Sequence, residues 1–152
     1  MPLTLSRFIA GGFGTGAVPV AAGTVASVAA TLAGGALLAA SPIWLALAAF
    51  LAITGGYWAI RHARVEGDPG WVTIDEFAGQ FITLLGLAHP SPAGLLIGFV
   101  LFRILDITKL GPVGWADRQH GAFGIMADDV IAGAIGAILL FGLRLAAPAV
   151  LA

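Results

Sequence analysis

Long apolar runs separated by short polar ones set the layout of this 152-residue chain. Residues 17–40 form a Gly/Ala/Val/Leu run whose opening, with Pro19, Gly23 and Thr24, has the composition of a loop. Ser41-Pro42 breaks the pattern, and residues 43–60 make a second run of 18, near the roughly 20 needed to cross a bilayer. Residues 61–71 are polar. Residues 74–88 are apolar apart from Asp75, Glu76 and Gln80 at their start. His89-Pro90-Ser91-Pro92 is a strong break, and residues 93–105 resume the apolar pattern. Residues 106–129 are polar, and residues 130–147 predict a last apolar helix.

The break at 89–92 decides the topology. A single span over 74–105 would put the two acidic regions on opposite sides of a membrane. A hairpin of two short helices returns both to one side. The basic residues favour the hairpin, because Arg7, Arg61, Arg64, Arg103, Lys109 and Arg118 then share one face and only Arg144 lies elsewhere. The positive-inside rule makes that face cytoplasmic. Arms of about 15 residues, roughly 22 Å at 1.5 Å per residue, are short enough to be re-entrant.

Composition agrees with a membrane location. The chain is 59% hydrophobic and 10% charged, with a mean hydropathy of +1.00, whereas a soluble domain carries about 25% charged residues. The 22 glycines suit a bundle in which small residues let helices approach closely. The expectation is an all-α integral membrane helical bundle, with polar loops on the cytoplasmic face and residues 1–152 forming a single domain. Zero cysteines exclude thiolate chemistry and Cys-ligated metals. No basic tract is present to bind nucleic acid. Four glycines and Pro19 within residues 8–20 make a poor signal-peptide core.

All eight acidic residues lie between Glu66 and Asp129. A carboxylate at a membrane-helix centre costs roughly 2.5–3.5 kcal/mol, so clustered acids point to an ion or phosphate site. Arg103, Asp106 and Lys109 follow one another at i, i+3, i+6, on one helix face. That spacing alone favours two interfacial ion pairs over the other arrangement it allows, a metal-binding carboxylate between two cations that grip phosphate. Asp128-Asp129, read as opening the last helix, includes one aspartate more than capping explains. The glycine-bearing stretch before the pair suggests a loop able to offer N–H groups to phosphate. Asp75-Glu76 begins an apolar helix, where capping and ion binding explain the pair equally well. Together the three patches supply enough oxygen ligands for Mg²⁺. His62, His89 and His120 lack a recognised ligand spacing and are expected to be interfacial polar residues. No G-x-x-x-x-G-K-[ST] loop is present, so the glycines of 11–23 are expected to serve close packing.

Four stretches together resemble the phosphatidylglycerophosphatase A family. They are Gly14-Thr15-Gly16-Ala17-Val18-Pro19 through Gly23-Thr24; Asp68-Pro69 through Asp75-Glu76 and Gly79; Phe102-Arg103 with Asp106-Ile107 and Lys109; and Gly121 with Gly124-Ile125-Met126-Ala127-Asp128-Asp129 and Ala132-Gly133. Ala21-Ala22, Leu110-Gly111 and Ala122-Phe123 depart from the family pattern in the loops and leave the charged positions intact.

The resemblance implies a bacterial inner-membrane enzyme that hydrolyses phosphatidylglycerophosphate to phosphatidylglycerol and phosphate with Mg²⁺. It assigns Asp75, Glu76, Asp128 and Asp129 to the metal. Asp106, Asp129 and Glu76 take catalytic roles, and Arg103 and Lys109 hold substrate phosphate. Water or an aspartate could be the nucleophile. The bilayer and the lipid substrate are the expected partners, and the sequence leaves the oligomeric state open. A CDP-alcohol phosphotransferase would need D-G-x-x-A-R, and a phosphohistidine lipid phosphatase P-S-G-H; neither occurs. The alternative from another class is a small cation- or proton-coupled transporter using the acidic cluster.

Overall fold

The computed structural model describes residues 4–152 and contains helices but no strands among them. Seven α-helices follow in order: α1 (Leu5–Ala10), α2 (Ala22–Ala40), α3 (Pro42–His62), α4 (Ile74–Leu84), α5 (Pro92–Thr108), α6 (Pro112–Asp117) and α7 (Gly121–Ala146). A kinked 3₁₀ segment, Gly12–Ala17, joins α1 to the approach of α2. There Gly12 and Gly14 adopt φ of 55° and 104°, conformations that glycine accepts without a Cβ clash.

The breaks foreseen in the sequence are helix starts with identifiable caps. Ser41 accepts a hydrogen bond from the Ile43 N–H, and Pro42 occupies the first helical position, where its missing N–H costs nothing. Ser91 caps α5 in the same way through the Gly94 N–H, again followed by proline. Its hydroxyl also donates to the Leu151 carbonyl at 2.6 Å, fixing the hairpin turn beside the end of α7. Gly23 and Thr24, expected in a loop, are helical, because α2 begins at Ala22.

Helices α2, α3 and α7 are each long and apolar enough to cross a membrane. Helices α4 and α5 form the hairpin between them. At 11 residues, α4 is only about 16 Å long. It is also the most enclosed helix, with ten of its residues buried. Lipid-facing positions are apolar, as at Ile43, Leu47 and Phe50 on α3, all exposed. With lipid rather than water around the bundle, helix association depends on close packing, and glycine supplies it where α4 crosses α7. A Cβ on Gly133 would strike the backbone of Gly79, and one on Gly79 would strike the Asp129 carbonyl and the Phe102 ring. That crossing holds Asp75 and Glu76 beside Asp128 and Asp129.

The bundle therefore has two distinct ends. Arg61 ends α3, Lys109 caps α5 and Arg118 precedes α7, while Arg7 stacks on Trp71 in the α3–α4 loop. These basic residues gather at the acidic end. Arg144 shares a cavity with His89 at the hairpin turn, at the opposite end. From Asp129 to the end of α7 is about 26 Å of helix, and from Asp106 back to the start of α5 about 21 Å. The acidic residues thus sit at one edge of an apolar body close to the roughly 30 Å thickness of a bilayer core.

Candidate active site

Five carboxylates converge at that edge, and all are buried: Asp75 and Glu76 from α4, Asp106 from α5, and Asp128 and Asp129 from α7. Arg103 ties two of the helices together. Its Nη1 donates to Glu76 Oε2 and to Asp106 Oδ2, each at 2.6 Å. Ser27 Oγ on α2 lies 2.7 Å from the same Glu76 oxygen and 2.9 Å from the Gly23 carbonyl, so it can donate to either. Gly23 leaves room for this arrangement, because a Cβ at that position would force the Glu76 carboxylate to shift.

Lys109 makes the second set of pairs. Its Nζ donates to Asp117 Oδ1 at 2.5 Å and to Asp128 Oδ2 at 2.7 Å. The spacing of Arg103, Asp106 and Lys109 allowed two successive ion pairs. Only the first forms, because Lys109 is left-handed (φ 49°) and caps α5, which turns its side chain towards α6 and α7. Burial alone would push the Lys109 ammonium down, but its hydrogen bonds to Asp117 and Asp128 outweigh this and hold it above its ordinary value.

The position of Asp128-Asp129 corrects the sequence reading. Helix α7 begins at Gly121, so the pair lies two turns inside the helix and no capping role accounts for it. The glycine-bearing stretch before the pair is likewise helical and offers no free N–H groups beside it. Gly121 allows this by taking a φ of 70°, which glycine accepts readily, and Gly124 by its lack of a side chain, since a Cβ there would strike the backbone of Gln119.

Asp106, Asp128 and Asp129 each present one carboxylate oxygen, and the three oxygens lie within 4.8 Å of one another. Asp75 and Glu76 stand beside this trio rather than in it. Asp75 Oδ1 accepts from the Glu76 N–H, and Glu76 is engaged by Arg103 and Ser27. Five buried carboxylates against two cations leave an excess of negative charge. An all-oxygen, acid-rich trio of this kind fits a hard divalent cation such as Mg²⁺. Among the three, Asp129 makes no ion pair with a basic side chain of the described residues, whereas Asp106 has Arg103 and Asp128 has Lys109. The buried Nε–H of Arg103 also has no partner among the described residues, leaving a donor beyond those the carboxylates use.

The structure thus gathers all seven residues singled out from the sequence. It adds Ser27 and Asp117, which the sequence reading did not assign. Ser27 sits one helical turn after Gly23 on α2, and nothing in its spacing separates it from Thr24 and Thr31 of the same helix. Asp117 was visible only as one more acid in a polar stretch.

Fold and site together define a helical membrane protein with a buried acidic centre flanked by an arginine and a lysine. The chain belongs to the phosphatidylglycerophosphatase A family, whose profile matches residues 8–144, and it is therefore an enzyme, a phosphatase. It is similar to phosphatidylglycerophosphatase A of Escherichia coli K12, with 41% identity over 89% of this chain and 81% of that protein. The Haemophilus influenzae protein of the same name is 36% identical over 91% of this chain and 88% of its own length. A Bacteroides thetaiotaomicron protein provisionally named as a phosphatidylinositol-3-phosphatase is 34% identical over 91% of this chain and 93% of its own. No solved structure matches the chain.

Proposed function

We propose that the chain hydrolyses the terminal phosphomonoester of phosphatidylglycerophosphate in a Mg²⁺-dependent reaction, at the cytoplasmic face of a bacterial inner membrane. The supporting observation is the trio of carboxylate oxygens from Asp106, Asp128 and Asp129, within 4.8 Å of one another and bordered by Arg103 and Lys109. The names of two relatives supply the lipid. The basic residues at the acidic end supply the orientation. Membership of a phosphatase family removes the main support for the transporter alternative.

The substrate keeps its acyl chains in the bilayer and presents its headgroup at the edge where the acids lie. Phosphoryl transfer asks mainly for positioning and charge neutralisation. Arg103 and Lys109 hold oxygens of the terminal phosphate. Bound Mg²⁺, held by Asp106, Asp128 and Asp129, would supply further neutralisation of the phosphate charge. Asp75 and Glu76 add negative charge beside the trio, with Glu76 also orienting Arg103. Asp129, without an ion pair to a basic side chain among the described residues, accepts the proton of the attacking water. The new P–O bond forms to that water oxygen as the bond to the glycerol oxygen breaks, and the leaving glycerol oxygen takes up a proton from solvent.

The test is phosphate release by purified protein in mixed micelles, with phosphatidylglycerophosphate and phosphatidylinositol 3-phosphate as parallel substrates. The reading expects release from the former that requires Mg²⁺ and stops with excess EDTA. Faster release from the inositol lipid would overturn the substrate assignment, and release unaffected by EDTA would overturn the metal dependence.

A further inference from the structure

A cavity of about 580 Å³ opens beside the acidic centre, with Asp128 in its wall. Asp68, Asp117 of α6 and Gly124 of α7 line it, together with Arg118 and His120 from the connection between α6 and α7. Its depth in the membrane can be read from α6. Ile107, Leu110 and Trp115, before and within this short helix, are all exposed, and tryptophan with such neighbours belongs at the lipid–water boundary. The cavity beside α6 therefore lies at headgroup depth.

The charges around it are unequally committed. Lys109 pairs with both Asp117 and Asp128, and Arg103 with Glu76 and Asp106, whereas Arg118 makes no ion pair among the described residues. Its guanidinium lies over Gly114, where a Cβ would be 3.6 Å from Nη1, and that same glycine packs on the Lys109 carbonyl. Arg118 is thus the uncommitted cation next to the phosphate-holding lysine.

A headgroup with a terminal monoester also carries an internal phosphodiester, one glycerol away, that joins it to diacylglycerol. We propose that this cavity is the subsite for that internal phosphodiester, with Arg118 as the cation that recognises it. The inference rests on the phosphatase reading above and goes beyond it by naming what distinguishes this lipid from one without the diester. Arginine suits the task, since its planar fork can donate two hydrogen bonds to one phosphate. Arg118 touches neither the terminal phosphate nor the carboxylate trio, so it acts on affinity rather than on the chemical step.

The test measures KM and kcat for phosphatidylglycerophosphate in mixed micelles for wild type, Arg118→Gln and Arg118→Lys. Inhibition by phosphatidylglycerol, which keeps the diester and lacks the monoester, is measured alongside, with diacylglycerol as the uncharged control. Loss of a charge-assisted contact should raise both KM and the phosphatidylglycerol inhibition constant about tenfold in Arg118→Gln. The expected kcat stays within about twofold and the lysine variant recovers part of the loss. Unchanged KM and inhibition constant in an active, monodisperse Arg118→Gln overturn the subsite and leave the phosphatase reading standing. A fall in kcat at constant KM overturns it equally. A wild type that releases no phosphate contradicts the phosphatase reading itself, and this inference falls with it.

Discussion

Arg103 on α5 reaches across to α4 and places its Nη1 2.6 Å from Oε2 of Glu76. The same nitrogen contacts Asp106 on its own helix, so one guanidinium neutralises acids from two helices that would otherwise repel. The pairs are largely enclosed: the Arg103 side chain is 15% exposed and that of Glu76 11%. Removing one partner of a buried pair is costly because it strands a charge, by about 3–5 kcal/mol. Arg103→Ala should therefore lower stability by about 3 kcal/mol, seen as an earlier thermal transition in detergent. Adding Glu76→Gln to that variant should return part of the loss. A double variant no more stable than Arg103→Ala would contradict this view of the pair.

Glycines that separate contacting helices are distinguishable from glycines that do not. Gly79 and Gly133 meet where α4 crosses α7, whereas a Cβ on Gly55 or Gly142 would meet nothing within 4 Å. Gly79→Ala should lower stability by about 1–3 kcal/mol, the usual range for overpacking, and should cut activity by displacing Asp129. Gly55→Ala and Gly142→Ala should leave the fold intact or slightly stabilised, since alanine is the better helix former by about 1 kcal/mol. Unfolding curves and phosphate release on the three variants would separate the two classes.

Gly23 offers a narrower version of the same argument. The added methyl of Gly23→Ala would press on the Glu76 carboxylate and disturb its contacts with Ser27 and Arg103. Activity should fall at least tenfold, as small misplacements at reacting centres commonly do. Ser27→Ala, which removes one hydrogen bond and adds no bulk, should cost less. Equal activity in wild type and Gly23→Ala would show that the position of Glu76 is not critical.

Lys109 provides the pH prediction. Its ammonium is held above its ordinary value by Asp117 and Asp128 against the effect of burial. A raised value in the folded state means the stabilisation is complete below the unfolded value of about 10.4 and fades only as pH rises through the higher folded one. Metal-free protein should lose no Lys109-dependent stability between about pH 7 and 10. The difference in melting temperature between wild type and Lys109→Met should therefore stay constant across that window. A difference that shrinks by pH 9 would contradict the two hydrogen bonds.

The topology was legible because proline and serine mark it. Ser41-Pro42 and Ser91-Pro92 are helix starts whose caps follow from residue type alone, and the distribution of basic residues fixed the hairpin over a single span. The site was legible as a set of charges, because acids are scarce in an apolar chain and each one stands out. Their pairing was not legible. Lys109 departs from the i, i+3 pattern through a left-handed backbone conformation that no spacing announces. Asp128-Asp129 was misplaced as a helix start because Gly121 and Gly124 look like loop residues, while their role is to let α7 begin against the α6–α7 connection. Ser27 was hidden for a different reason: a hydroxyl in a membrane helix usually bonds to its own helix, as Thr31 does to the Ser27 carbonyl.

The central claim is that the carboxylate trio binds Mg²⁺ for phosphate release. Its most direct test is Mg²⁺-dependent phosphate release from phosphatidylglycerophosphate by wild type and Asp129→Asn, with folding checked by size exclusion and thermal melting. The account predicts release by wild type that EDTA abolishes, and at least a hundredfold loss in a folded Asp129→Asn, on the order expected for a general base. A folded Asp129→Asn that releases phosphate at the wild-type rate, or wild-type release indifferent to EDTA, would contradict it.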